Sequence, residues 1–128
     1  MVRSRSSRLM LSLALAGLAL PALAADRPDP YVPAGKPVDC IQIRSIRSTN
    51  VRDDRTIDFV TTNRKIYRNT LPYSCPSLGF EKRFSYRTSL SQLCSVDIIT
   101  VLWNTGPALQ PGASCGLGQF QPMEKPPA

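Results

Sequence analysis

The sequence contains no histidine. Histidine is the usual general base at neutral pH and the commonest metal ligand, so its absence weakens most enzyme readings at once. Cysteine occurs four times and never as Cys-x-x-Cys, which leaves a zinc site or a thioredoxin-like redox motif unsupported. No stretch of a dozen residues sustains a helical apolar period, and no repeat recurs at a fixed spacing. The apolar run at residues 9–20 is 12 residues long, short of the ~20 that a hydrocarbon core requires. Acids are also sparse, 9 Asp+Glu against 16 Lys+Arg.

The short apolar run does fit a secretory signal peptide. Arg3, Arg5 and Arg8 precede it, and Pro21 and the triplet Ala22-Leu23-Ala24 follow. Cleavage after Ala24 or Ala25 is expected, with the signal peptide spanning residues 1–24. No Arg-Arg pair stands ahead of the run, and no Cys follows the cleavage site for acylation. The mature chain is expected to be soluble, without a transmembrane anchor, in the periplasm or outside the cell. Loss of three Arg and no acid lowers the net charge from +7 to +4 on 104 residues. That surplus serves solubility and also favours anionic partners such as polysaccharide, lipid headgroups or acidic proteins, with nucleic acid disfavoured.

Residues 25–37, ADRPDPYVPAGKP, contain four prolines and little that is apolar, and read as an extended linker. Residues 122–128, PMEKPPA, read as a flexible tail. Between them, residues 38–121 carry strand-type patterning. Thr56-Ile57-Asp58-Phe59-Val60-Thr61 follows the turn cluster Arg52-Asp53-Asp54-Arg55, and Ser48-Thr49-Asn50-Val51 precedes it, which predicts a hairpin. A second turn at residues 62–65 leads into Ile66-Tyr67-Arg68-Asn69-Thr70-Leu71, completing a three-strand meander. Residues 84–87 alternate, and residues 97–103 (DIITVLW) read as a strand buried on both faces at the centre of the core. At residues 40–46, Ile46 is out of phase with Ile41 and Ile43, so a bulge or a short helical turn intervenes, and a bulged strand is favoured. Pro107, Pro111 and Gly112 predict a loop before a glycine-kinked strand at residues 115–120. The expected fold is mainly β: a small antiparallel sandwich or partly open barrel of about six or seven strands.

An exported chain with an even cysteine count predicts two disulfides. Three pairings of Cys40, Cys75, Cys94 and Cys115 are possible. The favoured one joins Cys75 with Cys94, linking the two middle loops, and Cys40 with Cys115, each of which opens a terminal segment.

The blocks RSIRSTNVRDDRTIDF, YRNTL, SCPSLGFE, FSYRTS, LCSVDIITVL and PGASCGLGQFQP resemble, over residues 39–122, a family of small exported proteobacterial proteins that share a Cys-containing domain without an assigned function. The resemblance is carried by Asp-Asp-Arg-Thr at 53–56, Tyr-x-x-x-Leu at 67–71, Cys-Pro-x-Leu at 75–78 and Leu-Cys-x-x-Asp at 93–97. It implies an exported, Cys-bearing β domain and brings no catalytic residue, ligand or partner with it.

The candidate chemistry is modest. Asp53, Asp54 and Asp58 lie among Arg52 and Arg55, where paired carboxylates for acid–base work compete with side-chain caps of a tight turn, and the cap reading is favoured. Asp97 reads as a strand-edge acceptor. Serines such as Ser74, Ser89, Ser91 and Ser95 lack an activating partner, and Gly106, Gly112, Gly116 and Gly118 form no phosphate-cradling loop. No catalytic residue, metal ligand or cofactor is expected. Basic residues stand out: Arg44 and Arg47; Arg64, Lys65 and Arg68; Lys82, Arg83 and Arg87, with Tyr67, Phe84 and Tyr86 between them. Arg64, Lys65 and Arg68 are the candidate anion-binding residues. The expected function is a non-catalytic binding or interaction module of the cell envelope, its partner a protein or an anionic polymer.

Overall fold

The computed structural model describes Gly17 and residues 28–127; apart from Gly17, the expected signal peptide and residues 25–27 lie outside the described residues. The described residues form ten short strands: β1 (Val32–Pro33), β2 (Cys40–Gln42), β3 (Ile46–Val51), β4 (Thr56–Thr61), β5 (Ile66–Thr70), β6 (Phe84–Tyr86), β7 (Gln92–Cys94), β8 (Ile98–Trp103), β9 (Gln110–Gly116) and β10 (Phe120–Glu124). One helical turn, α1 (Leu78–Glu81), precedes β6. All strand pairing is antiparallel, in a five-stranded sheet ordered β1-β10-β5-β4-β3, a three-stranded sheet β6-β8-β9 and the pair β2-β7. The fold is therefore mainly β, and among the described residues no closed barrel is found. The strand count exceeds six or seven because β1 and β7 are two and three residues long, too short to show a period in sequence, and because the segment read as one strand at residues 115–120 is divided between β9 and β10.

The meander β3-β4-β5 forms as its turn chemistry dictates. In the first turn Arg52 N donates to Thr56 O (2.9 Å), and the Asp53 carboxylate accepts from Arg55 N (2.8 Å), the Asx geometry that makes aspartate a turn former. In the second, Thr61 N donates to Lys65 O (2.9 Å) and Arg64 N to Thr61 O (3.0 Å), with Arg64 at φ 62°. Along β4, Ile57 and Phe59 point into the core, while Asp58 points to the other face.

One continuous core is shared by all three sheets. Ile57, Phe59 and Phe120 from the large sheet meet Ile99 and Val101 from β8, Ile41 and Leu93 from the β2-β7 pair, and Leu71 and Leu78 from the connecting segment. Phe59 packs edge-on against Phe120 (5.4 Å between centroids) and Phe84 (6.1 Å), arrangements that add to simple area burial. Tyr67, Phe84 and Tyr86 pack against this core, so the interleaved aromatics are mainly core residues.

Several expectations are corrected. The disulfides are Cys40–Cys94 and Cys75–Cys115, not Cys75 with Cys94 and Cys40 with Cys115. Cys40 lies directly opposite Cys94 because β2 pairs with β7 rather than with β9, and Cys115 on β9 reaches Cys75 instead. The sequence separations of 54 and 40 correspond to about 4 kcal/mol each in the chain-entropy estimate. Residues 43–45 form a 3₁₀ turn, not a bulged strand, and a register shift follows between Ile46 and Ser48. The turn moves the chain out of pairing with β7 and into pairing with β4. β8 is buried on one face only: Ile99 and Val101 are enclosed, whereas Ile98 is 56% exposed.

Pro111 and Gly112 lie in β9, not in a loop. β9 is an edge strand, where proline is tolerated, and the register shifts between Thr100 and Leu102 of its partner β8. The Trp103 indole covers Gly112 so closely that any added Cβ would collide with it. The segment read as a glycine-kinked strand is divided: β9 ends at Gly116 and β10 starts at Phe120. The buried Asn69 side chain closes this break, donating to Gly118 O (2.7 Å) and accepting from Gly118 N (2.8 Å).

The ordered framework also reaches beyond residues 38–121. Within the expected linker, Val32 and Pro33 pair with Glu124 and Met123, which belong to the expected tail. Ala34 N donates to Pro122 O (2.8 Å), and Val38 and Phe120 exchange two backbone bonds of 2.8 Å each. The two proline-rich ends therefore bind each other along β10, and we call residues 28–34 the strap.

Candidate functional site

The outer face of the five-stranded sheet carries a charge network beneath the strap. Register places Asp58 of β4 opposite Arg68 of β5. Asp58 is 2% exposed and accepts from Arg68 Nε (2.8 Å), Arg68 Nη2 (3.0 Å) and Arg52 Nε (2.5 Å). A carboxylate this enclosed is tolerated only when paired and hydrogen-bonded. The second acid comes from the strap: Asp29 bonds to Arg68 Nη1 and stands 3.7 Å from Arg52 Nη1. Tyr31 N donates to the same carboxylate (3.0 Å), and the Tyr31 ring lies 5.7 Å from the Arg52 guanidinium and 6.0 Å from Lys125 Nζ.

The electrostatics follow from these contacts. The hydrogen bond from Arg68 holds the Asp29 carboxyl below its ordinary value of 3.8, against a smaller opposing effect of burial. Its hydrogen bond to Asp58 raises the Arg68 guanidinium above its ordinary value, so Arg68 stays charged at every accessible pH. Arg68, read in the sequence beside Arg64 and Lys65 as a candidate anion-binding residue, is thus held between two carboxylates of its own chain, Asp58 and Asp29. The physical reason is the β4-β5 register, which sets it against a buried acid.

Arg64 and Lys65 are placed differently. Both are exposed in the β4-β5 turn, and both line a groove of about 700 Å³ between that turn, the strap and the end of β10. Across it stand Tyr31, Tyr67, Glu124 and Lys125. Three cations therefore face one carboxylate, and among the described residues Arg64, Lys65 and Lys125 take part in no ion pair. The sequence reading found Arg64 and Lys65 but missed Tyr31 and Lys125, and also Asp29 as a partner of Arg68. Those residues sit in proline-rich ends whose composition reads as unstructured, and the only local signal was an acid and an aromatic among the prolines.

The acids singled out in the sequence are each bound to the framework. Asp53 holds its own turn, Asp54 accepts from Gly79 N (2.7 Å), Asp58 is held by two arginines, and Asp97 accepts from Cys94 N (2.7 Å). Asp53 and Asp54 share a shallow depression with Arg55, Ser74 and Gly79, and their carboxylates there serve as backbone acceptors. Arg44, Arg47, Lys82, Arg83 and Arg87 are exposed around the domain, with Arg83 3.6 Å from Glu81. Among the described residues no group of three or more His, Cys, Asp or Glu is arranged to hold a metal ion, and no helix is long and apolar enough to cross a membrane. The two disulfides fit an oxidising, extracytoplasmic compartment. Compared with protein-family models, curated proteins and solved structures, the chain finds no match.

Proposed function

We propose that this chain is an exported, non-catalytic binding module that acts in the periplasm or outside the cell and engages another component of the envelope, protein or polymer, without a cofactor. The observation that carries the reading is the groove between the strap and the β4-β5 turn. It offers exposed Arg64, Lys65 and Lys125 beside Tyr31 and Tyr67, a concave surface with cations for an anionic group and rings for a flat or apolar one. Pairing of β5 with β10 holds the Arg64, Lys65 and Lys125 side of that groove in place, and pairing of the strap with β10 supplies the Tyr31 side.

The same observation favours a more specific alternative, in which the direct ligand is the anionic group of a polysaccharide or lipid headgroup. The test is crosslinking of tagged protein in intact cells, comparing wild type with an Arg64→Ala, Lys65→Ala, Lys125→Ala variant. Capture of the same envelope component by wild type and its loss from the variant is the expected result. Equal capture by both would place binding elsewhere on the surface and remove the groove from the account.

A further inference from the structure

The arginines beneath the strap do more than neutralise Asp58. Arg52 and Arg68 each hold Asp58 with one part of the guanidinium and turn another toward Asp29. Two guanidinium groups converging on a carboxylate form the arrangement by which proteins recognise acidic groups. The carboxylate they receive sits on a segment with few other ties. Asp29 is 38% exposed, β1 is a two-residue ladder, and Val32 and Pro33 are both exposed. The other contacts are the Ala34 N–Pro122 O hydrogen bond and the Tyr31 ring, which lies beside Arg52 and Lys125.

We propose that Arg52 and Arg68 form a recognition site for an acidic extended segment of a partner protein, and that the strap is a resident competitor occupying that site through Asp29. The bound strap shows what the site takes: a carboxylate on the two arginines, an aromatic ring two residues later over Arg52, and an extended backbone laid antiparallel along β10. This is strand addition to a sheet edge with a charged anchor. A partner segment of this type would displace the strap and, with it, the Tyr31 wall of the neighbouring groove. The site adjoins the groove, sharing Tyr31 and Lys125 with it, but its anchor is Arg52 and Arg68, and the inference stands whether or not that groove binds an anionic polymer.

Because the strap is tethered, it competes at a high effective concentration, and an external segment sees only the fraction of molecules whose site is open. The probe is a fluorescent, end-blocked peptide with the sequence of residues 28–34, PDPYVPA, titrated by anisotropy against the disulfide-intact mature protein. The Asp29→Asn protein is expected to bind it roughly 10-fold more tightly than wild type, since the substitution weakens only the tethered competitor. A second peptide with Asn in place of its Asp is expected to bind the same protein at least ~10-fold more weakly, consistent with loss of a charge-assisted pair. Adding Arg52→Gln to the Asp29→Asn protein should reduce the preference for the acidic peptide without abolishing it, since Arg68 keeps Asp58 paired and retains its own bond to the peptide carboxylate. Equal binding of the acidic and Asn peptides to the Asp29→Asn protein would overturn the proposal, as would equal affinity of the wild-type and Asp29→Asn proteins for the acidic peptide. The peptide comparison uses one protein and is independent of how the Arg52 variant folds.

Discussion

At the scale of single residues, Arg64, Lys65 and Arg68 lie within five positions of one another and have different roles. Arg68 faces a buried acid, and its removal would leave Asp58 charged, enclosed and with Arg52 as its remaining cation. Loss of one partner from a buried pair costs about 3–5 kcal/mol, so Arg68→Met is expected to lower denaturation stability by roughly 3 kcal/mol, measured in urea at neutral pH. Arg64→Ala is expected to change it by less than ~0.5 kcal/mol, as for other exposed positions. Local sequence distinguishes these arginines only through strand alternation: Asp58 and Arg68 each sit between inward-facing residues of their strands, which sends both to the outer face. That their strands align the two directly opposite each other depends on the length of the turn between them, and the second arginine on Asp58, Arg52, comes from the turn before β4. Gly112 is similar, since nothing near it in sequence indicates that Trp103 will lie across it.

At the scale of elements, the strap is held by Asp29, Tyr31 and two β-paired residues, and its attachment should depend on pH. Arg68 lowers the Asp29 pKa in the folded state, so the contribution of this carboxylate is fully present above its unfolded value near ~3.9. It is lost as pH falls through the lowered folded value. Hydrogen exchange of the Ala34 amide, which donates to Pro122 O, should therefore be protected at pH 6 and accelerate relative to core amides such as Phe59 as the solution is acidified below pH 4. Uniform loss of protection across both sites would show that the strap does not respond separately. The central meander was legible because turn chemistry and alternation agree over residues 48–71. The strap was not legible, because a proline-rich segment carries no period and its partner strand β10 lies almost ninety residues away in sequence. The 3₁₀ turn at residues 43–45 was visible only as the phase slip of Ile46, a signal that a bulge produces equally well.

At the scale of the whole molecule, one disulfide reinforces a strand pair that hydrogen bonds already join, and the other ties together segments that hydrogen bonding leaves separate. Cys40–Cys94 fastens the two strands of the smallest sheet, and Cys75–Cys115 joins the segment before α1 to the edge strand β9. That the four cysteines form two disulfides was readable from the sequence, whereas the pairing depended on β2 lying beside β7, a long-range choice that no local pattern encodes. Cys75 is fully enclosed, while Cys40, Cys94 and Cys115 are partly exposed, so Cys75–Cys115 is the bond with a buried sulfur. Limited reduction followed by alkylation and mass spectrometry is expected to label Cys40 and Cys94 first, and Cys75 and Cys115 only under conditions that also unfold the domain. A peptide linking Cys75 to Cys94 in the native protein would contradict the fold itself.

The central claim is that a rigid, disulfide-linked β framework presents Arg64, Lys65 and Lys125 as a binding surface for an anionic envelope component. It is tested most directly by titrating the mature protein with a polyuronate at low and at high salt, beside the Arg64→Ala, Lys65→Ala, Lys125→Ala variant. Exposed charges separated by more than a Debye length, about 10 Å at 0.1 M, are screened by salt. The account predicts binding by wild type that weakens steeply as salt rises, and at least ~10-fold weaker binding by the folded variant at low salt, with little left for salt to remove. Equal affinity and equal salt dependence in the two proteins would contradict it.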